Sequence, residues 1–446
     1  MSLPKVRAAA CHFAPIIFEA TRSCDKAIGL IHQAARSGAN LVVFPESAIP
    51  GFPVWAALLP PTRTHDLFQR FAQSSLYVDS EEISAIRHAA AKDKVIVSLG
   101  FSEKVRYSTA TLFNSNILIG EHGELLNHHR KLMPTFFEKL SWAPGDGYGL
   151  RIAETRFGKI GGLICGENTN PLARYALMAQ GEQIHISTWP AVWPTRDFDD
   201  YDRSGVDHKS NSELANENSQ FQDGLIHDAE KPPERISKAR PTEKIADQFI
   251  PQPDKKPQAS WGSDKAFASS NYNNIAANRT RAAAHCFEAK CFGVSCAGPL
   301  PISTIDKISE MVDGEHGLKL SSALTRSPRA PTQFFDPTGT LLPGFVDSTG
   351  EVTDSLIDKE GILYADLDLN QCVEGKQYHD VVGGYQRFDV FSLTVNRQRY
   401  EPAVFVDGNL QAAHSRGDAQ KGHPPEANLG STKVEIGENS RRTEYS

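Results

Sequence analysis

The spacing of hydrophobic residues predicts alternating strands and helices along most of the chain. Residues 6–13 predict a strand, 22–36 a helix with one apolar face, and 41–46 a strand whose continuous apolar run is typical of burial on both faces. Further helices are predicted at 81–91, 171–181 and 276–290, further strands at 94–101, 112–119, 125–131, 158–165, 183–190, 292–298 and 361–369, and a hairpin at 332–345. This alternation predicts a layered α/β fold.

Two polar segments interrupt the pattern. Residues 203–265 contain six prolines, many charges and few hydrophobic side chains, and residues 406–446 are similarly polar. Such segments bury too little apolar surface to offset the entropy of ordering, so we expect a disordered insertion and a disordered tail. Residues 5–405, interrupted by the insertion at 203–265, are then expected to form one domain.

Composition and charge narrow the possible functions. The 446 residues are 40% hydrophobic and 23% charged, which is ordinary for a folded globular protein. A net charge of -7 gives no basic footprint for nucleic acid, and neither a long apolar run nor a signal peptide is apparent, so we expect no nucleic-acid or membrane partner. The odd count of seven cysteines argues against a disulfide framework and favours a reducing, cytoplasmic compartment.

The residue most suggestive of chemistry is Cys165, which ends an apolar strand directly before a predicted helix. The unpaired N–H groups of a helix N-terminus favour a thiolate and can stabilise an anion on a substrate. Two further strands end in Glu46 and Lys131, which supply a base for the thiol and a cation for the developing charge. Each of these residues alone has an ordinary structural explanation, so it is their combination that indicates a catalytic site.

The motifs around these residues resemble the nitrilase superfamily of carbon–nitrogen hydrolases. Glu46 lies in VVFPES, Lys131 in HRKLMPT and Cys165 in ICGEN, in the order and spacing of that family. The resemblance extends over residues 5–200 and 270–403, where FDPTG and EGILYADLDL match later elements. The long polar insertion departs from the family, in which a much shorter connection is typical.

The resemblance implies the fold, the roles of residues and the assembly. The fold would be a four-layer α-β-β-α sandwich, and Glu46, Lys131 and Cys165 would be catalytic, with Glu138 in PTFFEKLSW as an accessory acid. No metal or organic cofactor is expected. Family members commonly form dimers or larger spiral assemblies, so a homo-oligomer is expected.

The residues after the cysteine bear on the substrate. Cys-Gly-Glu-Asn is similar to the motif of nitrile-hydrolysing members, whereas amidase branches typically have an aromatic residue and Asp, and cyanide-hydrating members usually have His at the position of Asn168. We therefore expect hydrolysis of an organic nitrile to the acid and ammonia through a thioimidate and a thioester. Backbone N–H groups near Gly166 would stabilise the developing charge, and Trp189 and Trp193 are candidates for the pocket wall.

Two alternatives stay open at this point. One is an amidase or carbamoylase of the same superfamily, which would use the same catalytic residues. The other is a non-catalytic scaffold that keeps the fold and uses the insertion to bind partners, although the presence of all four candidate residues argues against it.

Overall fold

The computed structural model describes residues 2–194, 273–346 and 350–403. The predicted insertion, 203–265, and the predicted tail, 406–446, lie outside the described residues. The chain divides into two compact units, Met1–Arg399 and Tyr400–Ser446. All the helices and strands given below belong to the first unit. None of the described helices is both long and apolar enough to cross a lipid bilayer.

The strands of the first unit form two sheets. The first has eight strands in the order β13-β12-β14-β1-β2-β3-β4-β5, and the second has six in the order β11-β10-β9-β8-β7-β6. Their bounds are β1 Lys5–His12, β2 Leu41–Val43, β3 Ile96–Lys104, β4 Leu112–Ile119, β5 Leu125–Arg130, β6 Ala153–Thr155, β7 Gly158–Ile164, β8 Ile184–Thr188, β9 Phe292–Cys296, β10 Gln333–Phe335, β11 Leu341–Leu342, β12 Gly344–Val346, β13 Glu351–Thr353 and β14 Gly361–Asp368.

Eight helices accompany the sheets in the described residues. They are α1 Ala20–Arg36, α2 His65–Ser74, α3 Glu81–Asp93, α4 Pro171–Met178, α5 Asn274–Ala289, α6 Ile302–Ser309, α7 Gly314–Arg326 and α8 Gln371–Glu374. The predictions from hydrophobic spacing match α1, α3, α4 and α5 closely. They missed α2, α6 and α7, whose short apolar stripes pack against one another in a cluster that includes Phe71, Ile308 and Leu324.

Side chains along β1 point alternately towards the second sheet, which lies face to face with the first, and towards the outer helices. Ala8 and Ala10 belong to the core between the sheets, together with Ile186 and Val294 of the second sheet. Ala9 and the other outward residues pack under α1 and α3 on the first sheet's outer face. Because side chains on a strand alternate between faces, one strand contributes to both layers.

The second sheet is covered on its outer face by α4 and α5. Met178 of α4 and Cys286 of α5 pack with Phe335 of β10 in one cluster. The layers are therefore α1/α3, first sheet, second sheet and α4/α5. This arrangement confirms the predicted α-β-β-α sandwich.

Parallel strands run through the centre of both sheets. β1, β2 and β3 are parallel, and β7, β8 and β9 are parallel. β5 runs in the same direction as β3, because two antiparallel pairings separate them. The carboxyl ends of these strands lead into loops, where α/β folds present reactive groups.

Candidate active site

Four buried side chains, Glu46, Lys131, Glu138 and Cys165, meet where these strands end. Glu46 follows β2, Lys131 follows β5, and Cys165 follows β7. Each is at most 7% exposed. The Cys165 Sγ and one carboxylate oxygen from each glutamate lie within 4.8 Å of one another. The structure thus brings together the four residues that the sequence singled out for chemistry.

The Lys131 ammonium links the two carboxylates. Its Nζ donates to Glu46 Oε1 at 2.8 Å and to Glu138 Oε1 and Oε2 at 2.9 and 2.7 Å. Glu46 Oε1 also accepts from Asn114 Nδ2 at 2.7 Å. Glu46 Oε2 is buried and has no hydrogen-bond partner among the described residues. One oxygen of the Glu46 carboxylate is therefore anchored, while the other can accept a proton.

Glu138 owes its position to a short 3₁₀ turn, Phe136–Leu140. Thr135 precedes this turn, and its backbone N–H donates to Glu138 Oε2 at 2.8 Å. A carboxylate that returns to the start of its own turn satisfies an otherwise unpaired donor. The same oxygen that fixes the turn thus holds Lys131.

Lys131 is a cation shared by the buried carboxylates of Glu46 and Glu138, and this sharing determines the pKa values in the site. Burial raises the pKa of Glu46, and Glu138 raises it further, while Lys131 opposes the shift. Burial alone would lower the pKa of Lys131, but the two carboxylates outweigh it and keep this pKa well above its ordinary value. Lys131 is therefore a permanent cation, and Glu46 is a stronger base than an exposed glutamate.

Cys165 occupies a strained position at the tip of β7. Its φ is +49°, in the left-handed region that non-glycine residues seldom adopt. It begins a 3₁₀ turn, Cys165–Thr169, whereas α4 begins only at Pro171. The sequence-based expectation that a helix N-terminus favours the thiolate is therefore wrong. Burial and the Glu46 charge instead raise the pKa of Cys165 well above its ordinary value, so the resting Cys165 side chain is a neutral thiol.

Glu167 is an important residue that the sequence reasoning did not single out. It accepts from the backbone N–H of Leu132 at 2.6 Å and of Ile164 at 2.8 Å, and from His129 Nε2 at 2.9 Å. Burial alone would raise the pKa of Glu167, but these donors hold it below its ordinary value. Glu167 therefore fastens the loop after Lys131 to the strand before Cys165. Its only sequence signal is its place in the CGEN string.

A cavity of about 130 Å³ opens beside Cys165. Its lining residues are Thr135, Cys165, Gly166, Pro190, Trp193, Asn274, Asn278 and Arg281. Trp193 stacks on Phe137 with ring centroids 4.4 Å apart. The wall formed by α5 is polar, because α5 contributes Asn274, Asn278 and Arg281 to it. The cavity therefore combines an apolar side with hydrogen-bonding groups.

The two tryptophans predicted for the pocket lie in different places. Trp193 lines the Cys165 cavity. Trp189 is fully buried and donates its indole N–H to Ser295 Oγ at 2.8 Å. It borders a smaller cavity of about 40 Å³ that also contacts Glu46. A packing role for Trp189 therefore accounts for its geometry.

The cluster of Glu46, Glu138 and Cys165 has the donor types of a metal site. However, the Lys131 ammonium already contacts both carboxylates. A divalent cation in the same place would have to displace a buried lysine that the carboxylates keep charged. The arrangement therefore fits acid–base and nucleophilic chemistry better than metal binding.

Comparison with known proteins agrees with this geometry. The family model described as carbon-nitrogen hydrolase matches residues 7–204. A nitrilase from Penicillium rubens is 28% identical over 404 residues, covering 90% of this chain and 97% of the relative. A cyanide hydratase from Stereum hirsutum is 40% identical over 198 residues, covering 44% of this chain and 52% of the relative. The match therefore spans about half the length of that cyanide hydratase.

Solved structures support the same fold. A carbon-nitrogen hydrolase from Helicobacter pylori G27 has a TM-score of 0.53 at 16% identity, over 87% of this chain and 97% of that one. Nit3 of Saccharomyces cerevisiae, a member of branch 10 of the nitrilase superfamily, has a TM-score of 0.51 at 15% identity, with the same coverage. The sequence matches confirm the resemblance noted from the motifs. The chain is therefore similar to carbon–nitrogen hydrolases named nitrilase and cyanide hydratase, and its residues 7–204 match that family's model.

Proposed function

We propose that this protein hydrolyses an organic nitrile to the carboxylic acid and ammonia, with Cys165 as nucleophile. The observation that carries the proposal is the placement of a buried thiol within 4.8 Å of a carboxylate of raised pKa, Glu46. The similarity to the Penicillium rubens nitrilase over nearly its whole length supports the substrate class.

The first half of the reaction forms a covalent thioimidate. The Cys165 Sγ–H passes its proton to Glu46 Oε2 as the sulfur attacks the nitrile carbon. One carbon–nitrogen π bond breaks, and the nitrogen takes up the proton that Glu46 accepted, which returns Glu46 to its ionised form. Lys131 and the backbone N–H of Gly166 stabilise the negative charge that develops on this nitrogen. Burial of the site strengthens these interactions, because few water molecules compete for them.

The second half consumes two molecules of water. Glu46 takes a proton from the first water as the water oxygen adds to the thioimidate carbon, and passes this proton to the nitrogen. The new hydroxyl group then loses its proton, which Glu46 also transfers to the nitrogen, so the carbon–nitrogen bond breaks, ammonia leaves and a thioester carbonyl forms. A second water releases the carboxylic acid and returns the proton to Cys165. Glu138 holds Lys131 in place throughout and supplies the second carboxylate that keeps Glu46 basic.

A product analysis on paired substrates tests the proposal. Purified protein is incubated with nitriles and their matching amides, and acid, amide and ammonia are measured by mass spectrometry and an ammonia assay. Because the α5 wall of the cavity is polar, the panel pairs apolar nitriles with analogues that carry a hydrogen-bond acceptor. We expect acid and ammonia from nitriles. Release of ammonia from amides alone would favour an amidase instead.

A second candidate reaction is the hydration of a nitrile or of cyanide to the amide. The cyanide hydratases with which the chain shares 38–40% identity over about half their length favour it. Asn168 argues against the hydration of cyanide, because cyanide-hydrating members of the family usually have His at that position. Formamide from cyanide, without formate, would establish this alternative.

The raised pKa of Glu46 predicts the pH dependence of the reaction. Glu46 must be ionised to accept the thiol proton, so kcat/KM is expected to fall as the pH drops through its pKa. This acid limb should lie above the range of an ordinary glutamate. In Glu138→Gln the negative neighbour is gone, so the limb should move to lower pH, even though the activity itself falls. An acid limb at the same pH in both proteins would contradict the assignment of Glu46 as base.

The domain limits, assembly and location are further proposals. We propose that 5–405 is one catalytic domain, because every described strand and all four clustered residues lie within it. A homo-oligomer is proposed by analogy with the family. All seven cysteines are free and buried, which supports a reducing compartment such as the cytoplasm.

A further inference from the structure

A second buried polar cluster lies behind the nucleophile, on the far side of Asn168. Its members are Glu182, His185 and His285, each at most 1% exposed. Glu182 accepts from His185 Nδ1 at 2.8 Å and from His285 Nε2 at 2.6 Å. The two imidazole rings stack with centroids 3.5 Å apart. The nitrogen–oxygen distances are those of hydrogen bonds, so the three residues form a hydrogen-bonded network.

Asn168 connects this network to the turn that carries Cys165. Its Nδ2 donates to the backbone carbonyls of Leu163 at 3.2 Å and Cys165 at 3.1 Å. Its Oδ1 accepts from His185 Nε2 at 2.9 Å and from Ser187 Oγ at 3.0 Å. Carbonyl groups only accept hydrogen bonds, so the two carbonyls fix the orientation of the Asn168 amide. The proton on His185 Nε2 is fixed in turn.

The remaining proton of the network lies between His185 and Glu182. Because Nε2 of His185 carries a hydrogen, the contact between its Nδ1 and Glu182 requires one further proton. Glu182 is ionised, since the two histidines hold its pKa at about 2 although burial opposes them. His285 is neutral, because burial and the charge of His185 lower its pKa to about 4. The network thus surrounds a buried, ionised carboxylate with one donor from each of two histidines.

The hydrogen bonds of Asn168 influence the reacting atoms through the peptide bond between Cys165 and Gly166. Asn168 holds the carbonyl of Cys165 on its own side of the turn. In a trans peptide the following N–H points the opposite way, so the Gly166 N–H is directed away from Asn168. Gly166 lines the Cys165 cavity. The Gly166 N–H would stabilise the anionic nitrogen of the substrate, and its direction is therefore determined by the hydrogen bond from Asn168 to the Cys165 carbonyl.

We propose that Asn168 and the Glu182–His185–His285 network are positioning residues that orient the Gly166 N–H for transition-state stabilisation. They do not touch the substrate and do not exchange protons with it. Loss of a donor of this kind lowers kcat by about 10²- to 10³-fold, so misorientation should cost roughly 10- to 100-fold with little change in KM.

Two chemical probes test whether Asn168 and His185 orient the Gly166 N–H or only stabilise the fold. Iodoacetamide alkylates Cys165 without forming an anion that needs the Gly166 N–H. An aldehyde analogue of the substrate forms a tetrahedral adduct whose oxyanion does need it. In Asn168→Asp and His185→Leu we expect near-normal alkylation rates, but a 10- to 100-fold loss in aldehyde affinity, similar in size to the loss in kcat. A distorted fold would reduce both.

Control variants complete the test. His185→Gln keeps an N–H that can reach Asn168 Oδ1, so it should retain more aldehyde affinity than His185→Leu. Ile86→Ala removes core volume under α3, on the outer side of the other sheet, and should lower Tm without changing the ratio of the two probes. Normal kcat and aldehyde affinity in Asn168→Asp and His185→Leu would overturn the proposal.

The kcat measurement rests on the proposed nitrile hydrolysis, whereas the two probes do not. If the wild-type protein turns over no nitrile, the proposed function fails, and the aldehyde and iodoacetamide comparison still decides whether the network orients the turn.

Discussion

Cys165→Ala is expected to abolish turnover of every nitrile, with a loss of about 10⁴-fold or more in kcat. The sulfur forms the covalent bond in both intermediates, and no other described nucleophile lies with the Glu46 and Glu138 carboxylates in this cluster. The variant should remain folded, because the lost atom is small and the strained backbone at φ +49° accommodates Ala as it does Cys. Cys165→Ser should be nearly as inactive, since a hydroxyl is far harder to deprotonate than a thiol.

The measurement combines kinetics with intact-protein mass. Wild-type protein quenched during turnover should carry the mass of a thioimidate or thioester, and Cys165→Ala should carry none. Cys24→Ala is the matched control, because Cys24 is also a buried free thiol but belongs to α1, which covers the first sheet's outer face. Substantial nitrile hydrolysis by purified Cys165→Ala would refute the covalent mechanism.

Lys131→Met is expected to remove both activity and a large part of the stability. The substitution leaves Glu46 and Glu138 fully buried without their shared cation. Breaking a buried ion pair from one side costs about 3–5 kcal/mol in the free energy of unfolding, and the electrostatic stabilisation of the substrate nitrogen is lost as well. We therefore expect kcat near the background and a clear fall in the denaturation midpoint.

The source of this instability can be tested with charge and pH. The double variant Lys131→Met with Glu138→Gln removes one unpaired carboxylate, so it should regain part of the stability but no activity. In the single variant both carboxylates have folded-state pKa values above their unfolded values, so its stability should rise as the pH falls through the folded pKa values. Wild-type protein should show a smaller rise, because Lys131 opposes the upward shift in the pKa of both carboxylates.

A surface ion pair provides the control for charge removal in general. Arg106 and Asp79 are 2.8 Å apart with side chains more than 60% exposed. Arg106→Met should therefore leave the denaturation midpoint almost unchanged. If Lys131→Met were destabilised by no more than this control, Lys131 would not be the essential counter-ion of the cluster.

Much of the local structure and the central cluster follows from local sequence. The apolar runs that end in Glu46, Lys131 and Cys165 predict buried strands. The residue that follows a buried strand lies where that strand leaves the sheet. Short elements were harder to predict. Helices α2, α6 and α7 contribute residues to one shared apolar cluster, and eight to thirteen residues show too few turns for a distinct periodicity.

By itself, the sequence determined the layered α/β fold, the resemblance to nitrilases and the identity of the four clustered residues, because these depend on periodicity and short motifs. Only the tertiary structure decided the protonation of Cys165, since burial outweighs any effect of a nearby helix end. It also decided the joining of Asn168, His185 and His285, which are separated by up to 117 positions in the numbering. Contacts across such separations arise from the packing of β7, β8 and α5, which no local pattern encodes.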